Sequence, residues 1–231
     1  MQVGSTKWKK IIDNGAKELG VEIDQMQKDQ FVLHALELVK WNQKINLTAI
    51  TDPLEIAVKH FLDSIAPAPF IPSRASLLDI GSGGGFPGIP LKILKPSLSV
   101  TLIDSSRKKI SFLKHVIRTL KLESMEALQV RAEDLARDNS FQNKYDVIIS
   151  RALSSMDTFI LMALPLLTKG GIIMVMKGKI SKEEIESEYS LIKKMPGLSE
   201  GNENNIILHL KKYKLPYLQS ERSVFILKNI C

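Results

Sequence analysis

The sequence predicts an α/β protein: a mainly parallel sheet covered by helices on both faces, preceded by a helical segment. Three observations carry that reading. From about residue 76, short apolar runs alternate with amphipathic stretches, the pattern of strands joined by crossover helices. The first run leads into Gly81-Ser82-Gly83-Gly84-Gly85, which reads as the turn of a strand-loop-helix unit. The last two runs, 206–213 and 222–229, joined through Pro216, read as a closing antiparallel pair.

Taken in order, residues 5–20 and 25–45 read as helices. Leu33, Leu36, Val39 and Val32, Ala35, Leu38 recur at three- and four-residue spacings and form one wide apolar face. Trp8, Phe31 and Trp41 read as packing residues. Asn46-Leu47-Thr48 breaks the pattern, and Asp52 and Pro53 cap and open a third helix reaching about Ser64. On it His60 and Asp63 share a face and read as a surface hydrogen bond. Pro67, Pro69 and Pro72 mark a connector, dividing a helical extension, 1–70, from a second unit, 71–231.

The sheet begins at about residue 76. Glycine costs about 0.5–1 kcal/mol of backbone entropy, so four glycines in five positions answer a conformational need: positive φ and close approach of the main chain to a ligand. Pro87 reads as a first-turn residue of the helix that follows, whose free N–H groups face the same ligand. The second strand, Ser99–Ile103, ends at Asp104. Arg107–Arg118 is an amphipathic basic helix with Ile110, Leu113 and Ile117 inward and its charges solvated. A third strand ends near Val130, and Arg131–Leu135 opens a short helix. The fourth, Tyr145–Ser150, leads into Arg151-Ala152, and the fifth, Gly171–Met176, into Lys177-Gly178. Pro196–Asn205 is a loop.

The 231 residues, 44% hydrophobic and 25% charged, suit a soluble globular chain with one large core. No apolar run approaches the ~20 residues of a bilayer span, and Lys7, Lys9 and Lys10 are not followed by a signal-peptide core. Cys231 is the only cysteine, which excludes an internal disulfide and a thiolate metal cluster; no metal is expected, and the cytoplasm is the expected compartment. Net charge is +7, and residues 1–70 hold 8 lysines against 9 acids. Residues 71–231 therefore hold 24 of the 32 basic residues and 16 of the 25 acids, a surplus of eight beside the glycine turn. A polyanionic substrate such as a nucleic acid explains it, as does a basic surface kept for solubility.

Ligands of open α/β sheets gather at the carboxyl ends of the strands. There this chain places Gly81, Asp104, Ala132-Glu133, Ser150-Arg151 and Lys177. Gly83-x-Gly85-x-x-Gly88 also satisfies the dinucleotide fingerprint, and an acid closing the second strand holds ribose hydroxyls of NAD and of S-adenosylmethionine alike. Spacing alone leaves both open, along with a non-catalytic RNA-binding module.

Asp79-Ile80-Gly81-Ser82-Gly83-Gly84-Gly85-Phe86-Pro87-Gly88 resembles the cofactor loop of class I S-adenosylmethionine-dependent methyltransferases. More narrowly, Asn46-Leu47-Thr48-Ala49, His60-Phe61-Leu62-Asp63-Ser64, Leu102-Ile103-Asp104-Ser105, Arg131-Ala132-Glu133, Ser150-Arg151-Ala152, Lys177-Gly178 and Glu221-Arg222, in unbroken order across residues 25–230, are similar to the bacterial small-subunit ribosomal RNA methyltransferase G family. The resemblance implies a Rossmann-like, seven-stranded sheet, S-adenosylmethionine as cofactor, and N7 methylation of one guanine in 16S ribosomal RNA. The sequence leaves open whether free RNA or the small subunit is the substrate; a monomer is the expected state. The resemblance places Asp79, Gly81, Gly83, Phe86, Ser105, Ala132, Glu133 and Arg151 along the cofactor, with Asp104 on its ribose. Arg151, Lys177 and Arg222 are expected to hold RNA phosphate or guanine O6.

The chemistry agrees by elimination. Pyrimidine C5 methylation needs a cysteine nucleophile, and the only cysteine is the last residue. Enzymes acting on exocyclic amines typically carry an Asn/Asp-Pro-Pro-aromatic pattern after the fourth strand, where this chain has Ser150-Arg151-Ala152. Guanine N7 has a lone pair and no proton, so no catalytic base is assigned.

Overall fold

The computed structural model describes residues 1–151, 155–193 and 206–229. Helices α1 (Thr6–Glu18) and α2 (Gln25–Ile45) start where a side chain satisfies an orphan N–H. Ser5 accepts from the Trp8 amide, and Asp24 and Gln27 form a reciprocal capping box. Helix α3 is composite: Pro53–Glu55 is capped by Asp52, Ile56–Leu62 is wound as a π-helix, and Asp63–Ile65 returns to α geometry. Such π segments recur at functional sites.

Strands β1 (Ser76–Ile80), β2 (Ser99–Asp104), β3 (Met125–Gln129), β4 (Tyr145–Arg151), β5 (Leu167–Lys177), β6 (Ile206–Lys214) and β7 (Glu221–Asn229) form one sheet in the order β3-β2-β1-β4-β5-β7-β6. The first five are parallel; β7 runs antiparallel to both β5 and β6. Crossovers are made by α4 (Gly88–Leu94), α5 (Arg107–Thr119), α6 (Ala132–Arg137) and α7 (Met156–Ala163), and α8 (Lys182–Lys193) follows β5. Strand order reverses between β1 and β4, which opens a crevice above their carboxyl ends.

The expected elements are present, with adjustments. Pro87 precedes α4, which opens at Gly88. Strand β5 begins four residues early, and the register of its pairing with β4 shifts between Tyr145 and Val147. The wide apolar face of α2 is only half used: Phe31, Ala35 and Leu38 are buried, whereas Leu33, Leu36 and Val39 are 36–46% exposed, because the helix is covered on one side. Loop Pro196–Asn205, Ala152 and Cys231 lie outside the described residues.

One core cluster joins Trp8, Phe31, Phe61, Phe86 and Phe112 beneath α1–α5 to one sheet face; a second, around Phe159, Ile160 and Phe225, lies under α6–α8. Trp8 and Phe31 pack as expected, and Trp8 Nε1 also donates to the Pro53 carbonyl at 2.9 Å, tying α1 to α3. Among the described residues, no helix is long and apolar enough to cross a membrane.

Candidate functional site

The glycines of the turn after β1 divide into two kinds. Gly81 (φ +75°) and Gly83 (φ +54°) adopt the left-handed region, and a Cβ at either would meet open space or, at Gly83, only the Gly81 carbonyl at 3.9 Å. A Cβ at Gly85 would lie 2.4 Å from Ile89, and one at Gly88 would lie 2.3 Å from Leu102 and 2.8 Å from the Asp79 carboxylate. Gly85 and Gly88 thus permit internal packing, whereas Gly81 and Gly83 present bare backbone to the crevice.

Asp79 is fully buried. Its Oδ2 accepts from the Gly88 amide at 2.9 Å, and Oδ1 has no partner among the described residues. Burial pushes its pKa up to about 7, against the pull of the Gly88 amide and Arg151. The first N–H of α4, expected to face a ligand, is therefore taken by Asp79. Asp104 accepts from Ser106 N at 2.8 Å and Gly83 N at 3.1 Å, with Lys109 Nζ 3.5 Å away, which fixes a carboxylate beside the open glycine. Ser105 beside it is exposed, as is Glu133 in the first turn of α6, next to half-buried Ala132.

A cavity of about 630 Å³ opens at the carboxyl ends of β4 and β5. Arg151, Lys177 and Arg222, predicted together, all line it; the glycine turn and Asp104 do not. The predicted residues thus form two groups along one rim, and Arg151 joins them: its guanidinium carbon lies 5.4 Å from the ring centre of Phe86.

His60 and Asp63, expected at the surface, are buried, because α3 is enclosed on every side except the one that carries Glu55 and Lys59. The expectation of a surface hydrogen bond is overturned. Arg151 Nη2 donates to His60 Nδ1 at 3.3 Å and Nη1 to the Lys59 carbonyl at 2.7 Å. This leaves His60 Nε2 to donate to Thr48 Oγ1 at 3.0 Å. Burial, helped by Arg151, draws the His60 pKa down to about 3, so the ring is neutral. Asp63 accepts from Tyr213 at 2.8 Å and lies 3.4 Å from Arg222 and 3.7 Å from Arg151. Burial and Asp63 both raise the Tyr213 pKa, keeping the phenol protonated. Lys177 pairs with Glu188 of α8.

Below the turn, His34 is also buried. Its Nε2 donates to the Gly84 carbonyl at 2.9 Å, and its ring and that of His60 stack on Phe86 with centres 4.9 and 4.5 Å away. From the sequence, Thr48, His60 and Asp63 appear only in runs that carry the resemblance, with no site role assigned, and His34 and Tyr213 are not singled out. The signal in the sequence was weak: Ile56–Ile65 is mostly apolar, but it also holds Lys59, which stays half-exposed, so composition alone does not single out His60 and Asp63 as buried.

A seven-stranded sheet in this order, with a glycine turn at its switch point and an acid closing β2, defines a class I methyltransferase fold. The crystal structure of a SAM-dependent methyltransferase from Aquifex aeolicus aligns with a TM-score of 0.56 at 17% identity, covering 79% of this chain and 96% of that one. That of M. jannaschii TYW2 in complex with AdoMet aligns with a TM-score of 0.52 at 17% identity, over 73% and 74%. Residues 27–204 match the family described as rRNA small subunit methyltransferase G. Ribosomal RNA small subunit methyltransferase G of Geobacter sp. (strain M21) is 42% identical over 95% of this chain and 96% of its own length; that of Geobacter metallireducens is 47% identical over 78% and 80%. The chain belongs to the rRNA small subunit methyltransferase G family.

Proposed function

We propose that this protein transfers a methyl group from S-adenosylmethionine to N7 of a guanine in 16S ribosomal RNA, acting in the cytoplasm as a monomer on free RNA or the small subunit. One observation carries the reading: a bare glycine cradle and a cationic cavity lie side by side on one rim, joined at Arg151. The cradle fits the cofactor, since Gly81 and Gly83 leave room for a ligand, and Asp104 stands at its edge as a ribose acceptor. Asp79, Phe86 and Arg151 complete that half, with Ser105, Ala132 and Glu133 along the rim. Bound there, S-adenosylmethionine supplies an electrophilic sulfonium methyl group.

The cavity takes the target base, with Arg151, Lys177 and Arg222 holding phosphate or O6 and leaving N7 free. A guanine reaches it only from an unstacked segment. No base is required, because N7 carries no proton. His60, the one imidazole lining the cavity among the described residues, supports this, with both nitrogens engaged and a pKa far below neutrality. Positioning supplies the acceleration. Residues 1–70 serve as a helical extension of the transferase unit 71–231, seating α2 and α3 against the glycine turn.

Labelled S-adenosylmethionine offered with deproteinised 16S RNA and with small subunits tests this directly. The expected result is incorporation at one position, read by cleavage specific for N7-methylguanine. Incorporation into neither substrate, or binding of NAD in place of S-adenosylmethionine, overturns it.

A further inference from the structure

We propose that the outer face of α5 is a docking surface for the phosphate backbone of the RNA, an inference that rests on the methyl-transfer reading and extends it to a second region. Residues 105–122 contain six lysines and arginines and no acid, out of a surplus of eight across residues 71–231. Ile110, Phe112, Leu113 and Val116 face the core. Arg107, Lys108, Lys114 and Arg118 are exposed, and Lys121 continues the stripe past the helix end. Only Lys109 has a carboxylate partner among the described residues, at Asp104 on the rim.

The arrangement works against the helix. Its first turn carries Arg107, Lys108 and Lys109 and no acid, so three cations sit at the positive end of the macrodipole. Lys114 and Arg118, one turn apart, repel each other. Helices α6 and α8 of the same protein follow the stabilising rule, with Glu133 and Asp134, and Glu183 and Glu184, in their first turns. A polyanion along α5 relieves both costs. From Arg107 to Lys121 the stripe is about 21 Å long at 1.5 Å per residue, the axial length of about six phosphates of one stacked strand. It starts three residues beyond Asp104, so RNA lying on it runs toward the rim where the target base is taken. An anionic membrane is the weaker partner, because the apolar face of α5 is spent on the core and leaves nothing to insert into lipid.

The test is the triple variant Lys108→Gln/Lys114→Gln/Arg118→Gln, compared with Lys7→Gln/Lys10→Gln/Lys17→Gln on α1, which removes equal charge. Binding to a 16S RNA fragment is measured against salt. Losing three phosphate contacts makes the slope of log K on log salt shallower by about two and raises the RNA KM roughly tenfold, while the α1 variant matches wild type. S-adenosylmethionine affinity is unchanged in both, and the thermal midpoint of the α5 variant does not fall. An unchanged slope and KM overturn the proposal, as does a loss confined to binding of phosphatidylserine vesicles. Because the slope is read without methyl transfer, an inactive wild-type protein would sink the methyl-transfer reading and leave this result standing on its own.

Discussion

At the residue scale, chemically identical glycines have different jobs, and substitution separates them. Gly83→Val puts a β-branched residue at positive φ into open space, so it weakens S-adenosylmethionine binding at least tenfold while the fold persists. Gly88→Ala drives a methyl into Leu102 and Asp79 and lowers stability by about 1–3 kcal/mol. Calorimetric titration and thermal melts distinguish the two. Asp79 carries a pH signature. Its pKa rises from 3.8 unfolded to about 7 folded, so between those values the folded state holds a proton that the unfolded chain has lost. Its contribution therefore declines as pH rises from 4 to 7, by up to about 4 kcal/mol. His34 and His60, drawn down to about 4 and 3, act with the opposite sign and cost stability as pH falls below about 6.5. The Asp79→Asn variant isolates the first effect: relative to wild type it gains stability between pH 4.5 and 8 in denaturant titrations. A constant difference would show that Asp79 is ionised when buried.

At the element scale, His60, within the π-wound segment of α3, and Asp63, just after it, reach β4, β6 and β7. Asp63 is the carboxylate on which Tyr213, Arg222 and Arg151 converge, from three strands. Removing one member of a buried ionic set leaves the others uncompensated. Asp63→Asn is expected to cost about 3 kcal/mol in denaturant unfolding and to raise the RNA KM, with little change in S-adenosylmethionine affinity. A normal RNA KM at full folding would reduce Asp63 to a structural tie.

At the scale of the whole molecule, the helical extension and the sheet share one core, since His34 and Phe61 pack against Phe86 of the glycine turn and Phe31 packs on Phe61. Residues 71–231 expressed alone should therefore lack a cooperative melt and bind no S-adenosylmethionine; a sharp melt would show an autonomous unit. The sheet was legible in the sequence because strand alternation, turn glycines and caps are local signals, and each strand lies within a few residues of its expected span. The rim positions followed, because parallel topology forces strand ends together: Arg151, Lys177 and Arg222 do meet at one cavity. What the sequence could not decide was which polar groups are desolvated. His60 and Asp63 look like surface residues until Phe86, Arg151 and Tyr213, brought from distant parts of the chain, close over them. The cost of burying a charge depends on those neighbours, so only the tertiary structure turned that pair into the joint between the glycine cradle and the cavity.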